Sequence, residues 1–343
     1  MNDDDHTAPK NRSEIAFLFD GQDCNPNGDP LSNNNRPRVD PATGQGIVTD
    51  VRIKRYLRDQ LYDDGKGILI KTNEQLESKK PTRENLYADL VEVMEESGDI
   101  EKAFLKAATD VRYFGATIST DSDIVDDLPD QYTGPVQFTH ARSYHPVEIN
   151  ESTKQLTTVI YTDESSEQGT FATDFRIHYG LFGISGVVNE NAAKDTQLSE
   201  DDVKRLDTLM WRAMRNQTLT RSKVGQQPRL YLRVGYDREN FHIGRLADKF
   251  DVVTGGSVDD IRGPDDYEVD ATKVVRTLNR VSDAVGEIQL VVDDGITFHV
   301  DEELIQNDEI GDSNVFVAAL RSVADFDDDF NVMNGVDVHA TDD

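Results

Sequence analysis

Residues 13–59 read SEIAFLFDGQDCNPNGDPLSNNNRPRVDPATGQGIVTDVRIKRYLRD, which holds a strand, a long turn-rich loop and a helix in succession. SEIAFLFD (13–20) sets Ile15, Phe17 and Phe19 on one side of an extended chain, the spacing of a buried strand. Gly, Pro and Asn crowd residues 21–46, and loops of that length in compact domains are commonly functional or disordered. Thr49 followed by Asp50 offers a helix start. From there Ile53, Tyr56, Leu57, Gln60 and Leu61 recur at helical spacing. Lys54, Arg55 and Arg58 fall on the opposite side, with Arg52 at the edge.

This basic stretch belongs to an acidic chain. The 343 residues carry 66 acidic against 36 basic side chains, a formal net charge of −30. Of the basic residues 14 are Lys and 22 are Arg, with the acids spread in short runs. Such a surface stays hydrated where salt screens charge within a few Å, which points to a salt-accumulating cell. An ordinary acidic protein with a disordered tail is the alternative. The one cysteine, Cys24, excludes an intrachain disulfide and a four-cysteine zinc site. The polar N-terminus is unlike a signal peptide, and no apolar run reaches membrane-spanning length. The expectation is a soluble cytoplasmic protein with no membrane partner.

Further along, residues 73–108 read as mostly helical with a break at Gly98. VRYFGATIS (111–119) reads as a strand or a ligand-facing segment. GPVQFTHARS (134–143) is mixed polar and aromatic, and LTTVIY (156–161) reads as a strand, so a hairpin excursion is expected over 119–174. FRIHYGLFGISGVV (175–188) is a long strand interrupted by glycines. Ser199 opens a helix with acids in its first turn and an apolar stripe of Val203, Leu206, Met210 and Ala213. RLYLRVGY (229–236) alternates, with Leu230, Leu232 and Val234 facing inward. IQLVV and ITFHV suggest a hairpin around Asp293-Asp294-Gly295. Residues 330–343 read as an acidic, frayed tail. The order predicts an α+β fold with an RRM-like (ferredoxin-like) sheet and helices on one face.

Two islands resist the acidic trend. Residues 36–58 hold Arg36, Arg38, Arg52, Lys54, Arg55 and Arg58 against Asp40 and Asp50, a balance of +4. Residues 204–238 reach +7, with Arg221 and Lys223 among nine basic residues. Clustered Arg suits phosphate, because its planar fork donates two parallel hydrogen bonds. Pairing of these arginines with nearby acids is the rival reading. The Asn- and Gly-rich loop tilts towards a polyanion: glycines such as Gly28 allow close backbone approach, and Asn25, Asn27 and the Asn33–Asn35 run supply neutral contacts. Neutral contacts count for more in concentrated salt, where the counterion-release gain fades.

NPNGDP followed by RPRVDPATGQGIVTDVRIKRYLRD resembles the backbone subunit of the type I-B CRISPR interference complex, Cascade. GPVQFTHARS and FRIHYGLFGISGVVN look like later blocks of the same family, and the likeness covers about residues 13–236. The resemblance implies an RRM-like palm, a helical insertion at 63–108 and a thumb-like β-hairpin with its connecting segment at 119–174. It implies a non-catalytic scaffold that oligomerises along CRISPR RNA and presents the guide to invading DNA, alongside copies of itself and other Cascade subunits. Carried over, Asn25, Asn27, Gly28, Arg36 and Arg38 would line the RNA groove, and Arg52, Lys54 and Arg55 would grip phosphates. Gln137, His140 and Arg142 would lie near the RNA, and Arg221 and Lys223 would touch RNA backbone or the next subunit. Arg52 and Arg55 could instead bridge to an adjacent copy, and His140 could be an ordinary surface histidine. No aromatic box of the K/R-G-F-G-F-V type stands on the strands, so binding through loops and phosphates fits better, with sequence read by guide–target pairing.

No cofactor, metal site or catalytic residue is expected. The competing class is a metal-dependent ribonuclease of the same architecture, using a loop aspartate (Asp20, Asp23 or Asp29) to cut RNA. Two-metal cleavage needs converging carboxylates, and three acids near one loop are weak support in so acidic a chain. Cys24 in an Asn-rich turn is no credible nucleophile. A row of Arg229, Tyr231 and Arg233 on one strand could stack bases, or form a solvated sheet face.

Overall fold

The computed structural model describes residues 7–29, 35–72, 74–76, 85–87, 90, 98–118, 128–150, 154–158, 170–218, 220–305, 314–321, 323 and 330–339. Strands are β1 (Ser13–Cys24), β2 (Gln45–Val48), β3 (Gly115–Thr117), β4 (Gln131–Thr133), β5 (Val136–Phe138), β6 (Ala141–Pro146), β7 (Lys154–Thr158), β8 (Thr170–Thr173), β9 (Ile177–Val188), β10 (Gln226–Tyr236), β11 (Asp251–Val253), β12 (Glu268–Asp270), β13 (Val285–Val292), β14 (Phe298–His299) and β15 (Phe330–Asn334). Helices are α1 (Asp50–Asp63), α2 (Ile100–Ala107), α3 (Thr109–Phe114), α4 (Glu190–Thr196), α5 (Glu200–Arg215), α6 (Thr272–Arg280) and α7 (Val315–Arg321).

The main sheet has the order β15-β13-β10-β1-β9-β6-β2, with β5 also paired to β9. Its centre is β1, antiparallel to β10 on one side and β9 on the other. The apolar run of 13–20 explains that place, because a central strand buries both faces. Ile15, Phe17 and Phe19 enter one core with Ile53, Tyr56 and Leu57 of α1 and Leu206, Met210 and Trp211 of α5. Ala16 and Leu18 enter a second core with Val274 and Leu278 of α6 and Phe316 of α7. The sheet is therefore covered on both faces, α1 and α5 on one side and the C-terminal third on the other. The expected arrangement with helices on one face omitted that second cover.

Helix α1 begins where Thr49 caps it, its side chain accepting from the Arg52 N–H, and it buries Ile53, Tyr56, Leu57, Gln60 and Leu61 as the periodicity required. Helix α5 carries a full capping box between Ser199 and Asp202, which satisfies two end groups reciprocally. Strand β9 runs unbroken through its glycines; a Cβ at Gly183 would collide with the Tyr144 ring, so that glycine admits a crossing aromatic rather than breaking the strand.

Several expectations are corrected. Residues 109–114 are helical and only Gly115–Thr117 is a strand; all six residues of that helix are buried, so tertiary burial overrides β-propensity. The 288–300 hairpin does not form: β13 joins the main sheet while β14 pairs parallel to β12 in a separate small sheet. Residues 330–334, read as frayed, are the edge strand β15, parallel to β13. Just beyond, Gly335 packs so closely on Trp211 that a Cβ there would overlap the indole, and Arg215 donates to the Gly335 and Val338 carbonyls at 3.2 and 2.7 Å. Arg229, Tyr231 and Arg233 form neither a stacking row nor a solvated face. Tyr231 is fully buried beneath α5 and donates to Asp207 at 2.8 Å, and Arg233 holds both oxygens of the same carboxylate.

Within 119–174, β5 and β6 belong to the main sheet, whereas β7 and β8 pair only with each other as a two-stranded ribbon. The segment after α1 has its own small core, in which Leu69, Tyr87, Leu90, Phe104, Leu105, Val111 and Tyr132 meet. Residues 77–84, 88–89 and 91–97 of the expected helical insertion, 119–127, 151–153 and 159–169 of the expected thumb, Asn33 and Asn34 of the loop, and 340–343 of the tail lie outside the described residues. Among the described residues no helix is long and apolar enough to cross a membrane.

Candidate nucleic-acid interface

With both sheet faces closed, exposed cationic side chains lie off the sheet faces. The loop after β1 is built from its own polar groups. Asn27 is buried, and its Oδ1 accepts from the Thr49 N–H and hydroxyl, both at 2.8 Å. It thus ties the loop to the cap of α1. The Asn27 carbonyl accepts the Arg38 N–H at 3.2 Å, which turns the returning arm of the loop back on itself. Asn25, also buried, donates from Nδ2 to the Asn35 carbonyl at 2.7 Å. A Cβ at Gly28 would overlap Asn35, so the absent side chain lets the two arms meet. Lys223 donates to the Asn25 and Pro26 carbonyls; burial, and secondarily the charge of Arg52, lowers its amine to about 8. Asn25, Asn27, Gly28 and Lys223 therefore shape the loop and its floor.

The loop's returning arm carries Arg36 and Arg38 outward. Together with His140, between β5 and β6, they line a concavity of about 430 Å³. His140 also lines the next one, about 510 Å³, which continues past Arg142 to Arg245. In the other direction the Arg36 guanidinium lies 4.9 Å from the centre of the Phe175 ring. Phe175 separates Asp174 from Arg176, and Asp174 accepts from Arg176 at 2.7 Å and from Arg221 at 3.2 Å. The shared neighbours make one course: Arg221, Arg176, Arg36 over Phe175, Arg38, His140, Arg142 and Arg245. Side-chain exposures of 62%, 55%, 50% and 75% at Arg221, His140, Arg142 and Arg245 set these four apart from the interior arginines.

The remaining residues singled out in the sequence have other contacts. Lys54 donates to Gln137 Oε1 at 2.7 Å and lies 3.8 Å from Asp50; half-burial lowers its amine pKa, with Asp50 opposing. That bond pins α1 to β5. Arg52 lies over the Tyr56 ring at 5.8 Å. Arg55 turns to the segment after α1, donating to the Ile70 carbonyl at 2.8 Å and to Asp59 at 2.6 Å. Arg176, Phe175 and Arg245 were missed. The first two stood at the head of the FRIHYG block but were read only as strand. Arg245 follows Gly244 in a turn where both have positive φ, 83° and 47°, and only its place opposite Arg142 makes it notable.

The second island is mostly spent inside the fold. Arg205 pairs with Asp202, Arg212 with Asp64, Arg229 with Asp20 and Asp293, and Arg233 with Asp207 and Glu287, while Arg238 pairs with Asp283 at the surface. The rival reading, arginines matched to neighbouring acids, describes this island.

Of the three acids of the ribonuclease alternative, Asp20 is spoken for inside the fold. Asp20 is 2% exposed, and Oδ2 accepts from Arg229 and from the Tyr179 hydroxyl, each at 2.9 Å. Burial raises its carboxyl pKa while Arg229 opposes. A metal would have to displace this network. Asp29 lies 3.3 Å from Arg38, and among the described residues no three His, Cys, Asp or Glu side chains are grouped to hold a metal. Cys24 is buried, and burial pushes its thiol up to about 12, which removes the thiolate a nucleophile needs.

Residues 11–272 match the family model of CRISPR-associated protein Cas7. The chain is 46% identical over 317 residues to CRISPR-associated protein Cas7 of Haloferax volcanii, covering 87% of this chain and 92% of that one. Among solved structures it resembles a chain of a CRISPR RNA-guided surveillance complex in a pre-nicking state, with a TM-score of 0.47 and 13% identity over 82% of this chain and 92% of that one. A second chain, from a CRISPR RNA-guided surveillance complex, gives a TM-score of 0.44 and 14% identity over 82% and 88%.

Proposed function

The chain belongs to the Cas7 family of CRISPR-associated proteins, a non-catalytic backbone family of CRISPR RNA-guided Cascade complexes, and we propose that it holds CRISPR RNA along the rim course from Arg221 to Arg245. The observation that carries this reading is the continuity of that course in a chain of net charge −30. Guanidinium forks suit phosphate oxygens, and contacts to phosphate position a strand without reading its bases. The guide then stays free to pair with target DNA.

The central strands β10-β1-β9-β6, with α1 between β1 and β6 and α5 between β9 and β10, have the order and crossovers of an RRM-like palm. An RRM binds RNA on its open sheet face, but here the C-terminal third covers one face and α1 with α5 the other. That closure supports binding on the rim. The β7–β8 ribbon is the thumb in this reading, narrower than 119–174, and the unit around the Phe104 core is the helical insertion. Asn25, Asn27, Gly28 and Lys223 act from beneath by fixing the loop, and Lys54 with Gln137 fixes α1 beside it. Copies of this chain and other Cascade subunits would extend the course from one subunit to the next.

The test is retention of RNA through purification at high salt. An Arg38→Ala, Arg142→Ala double variant is expected to co-purify with at least about tenfold less RNA, since hydrogen bonds to charged groups contribute about 1.5–3 kcal/mol each, with unchanged circular dichroism. Undiminished RNA on the folded double variant would overturn the rim assignment.

A further inference from the structure

Most arginines of the rim already face a carboxylate of the same chain. Arg38 has Asp29 at 3.3 Å, Arg142 has Asp40 at 2.9 Å, and Arg245 has Asp248 at 3.5 Å. Asp174 serves both Arg176 and Arg221. The carboxylates come from separate segments, so the matching does not reflect one acidic run.

Two of them are set in place by further contacts. Asp40 Oδ1 accepts the Ala42 N–H at 2.9 Å, leaving Oδ2 to Arg142. The backbone bond from Ala42, followed by the Arg142 contact, holds that carboxyl below its usual range. Asp174 Oδ2 takes both Nε and Nη2 of Arg176, at 2.9 and 2.7 Å. A carboxylate offers a guanidinium the same acceptor geometry as a phosphate oxygen.

We propose that these aspartates are built-in competitors of RNA: they occupy the phosphate positions of the rim in the RNA-free subunit, and the strand must exchange them as it seats. The proposal rests on the rim reading above. One exposed pair is worth little, about 0–1 kcal/mol, so a single exchange is easily made. Several exchanges along one strand multiply, and a lone subunit touching a few stray phosphates gains almost nothing. A strand held continuously across stacked copies recovers the loss, because each further exchange on a strand already held is intramolecular. The device keeps isolated subunits from trapping arbitrary RNA.

The test uses full-length RNA-free protein and a fluorescein-labelled single-stranded RNA of about 30 nucleotides, titrated by anisotropy at fixed KCl. Asp40→Asn keeps the Ala42 bond but discharges the competitor. It is expected to tighten binding about threefold, and Asp40→Asn with Asp248→Asn about tenfold, the fold-changes corresponding to exposed ion pairs. Asp283→Asn is the control: it makes the same charge change at the exposed Arg238 pair beyond the far end of β10, and its affinity should stay at the wild-type value. No gain in the Asp40 variants, or an equal gain in Asp283→Asn, overturns the proposal. Arg142→Ala run alongside separates the two readings. If it leaves affinity unchanged the rim reading fails; if it weakens binding while Asp40→Asn gives no gain, only the competitor proposal fails. Should the double variant misfold, the exposed single variant Asp40→Asn carries the test.

Discussion

Replacing Asp202 by Asn tests whether the interior arginines hold the fold, as the contacts in the second basic island require. Asp202 is 2% exposed. Its carboxylate accepts from Arg112 at 2.9 and 3.1 Å, from Arg205 at 2.7 Å and from the Ser199 N–H at 3.2 Å. It closes the capping box of α5 and at the same time ties α5 to α3. Asn keeps the size and one acceptor oxygen but removes the charge, leaving the buried Arg112 guanidinium without its counterion. Breaking a buried pair from one side costs about 3–5 kcal/mol, against about 5–15 kcal/mol for the total stability of an ordinary domain.

The assay is urea unfolding followed by circular dichroism at fixed KCl, with Glu148→Gln as comparison. Glu148 pairs with Arg262 at 2.7 Å with both side chains about half-exposed, so that change should cost less than about 1 kcal/mol. The double variant Arg112→Met, Asp202→Leu removes both charges of that pair and should recover part of the loss, because a buried ion pair replaced by apolar groups is often neutral, while Arg205 still loses its Asp202 partner. It should still lack about 1 kcal/mol of cap. The sign with pH also follows. Burial alone would raise the Asp202 carboxyl, but its contacts with Arg112 and Arg205 and the Ser199 N–H outweigh it, and the pKa falls below 3.8. Its stabilisation is present above 3.8 and lost as pH drops through the lower, folded value. The gap between wild type and Asp202→Asn should therefore close only in that acid window. A cost under about 1 kcal/mol, equal to that of Glu148→Gln, would refute the argument.

Two smaller predictions concern the loop. Asn27→Ala removes the acceptor shared by the Thr49 N–H and hydroxyl and should cost about 1–3 kcal/mol; hydrogen exchange at residues 35–39 should quicken in that variant. Lys223, lowered to about 8 by burial, binds fewer protons folded than unfolded between about pH 8 and its ordinary 10.5. Stability should rise with pH across that window, and Lys223→Met should flatten the rise when the two proteins are unfolded by urea at each pH.

What could be read in advance follows from how local the cause is. The strand at 13–20, the cap at Thr49 and the buried stripe of α1 depend on spacing within a few residues, and they stand where the spacing put them. Segment 109–114 could not be read that way. Its β-branched and aromatic residues favour a strand alone, and only the cores around Phe104 and Trp211 make them helical. The same limit explains β15 and the parted β13 and β14, whose partners lie far off in sequence. Along the proposed rim, Arg36, Arg38 and Arg221 stood in the basic islands of an acidic chain, whereas His140 and Arg142 were expected only from the resemblance. Arg176 and Arg245 became visible only when the fold set them beside the others. Arg55 had the right type and a different partner, Ile70 and Asp59.

An acidic chain can take a polyanion only if its cations are exposed where its acids are fixed, and interior and rim arginines divide that task. Inside the fold, guanidinium groups face carboxylates in places water does not reach: Arg233 is 2% and Arg212 is 4% exposed. A phosphate could enter there only by unfolding the chain, so those arginines contribute to stability at any salt concentration. Along the rim the same pairing occurs in water, where each partner can be exchanged at a cost of about 0–1 kcal/mol. Sequence charge alone ranked the second island, at +7, above the first, at +4. Burial reverses that order, because a cation is available to a ligand only to the extent that its own counterion can be replaced without opening the core.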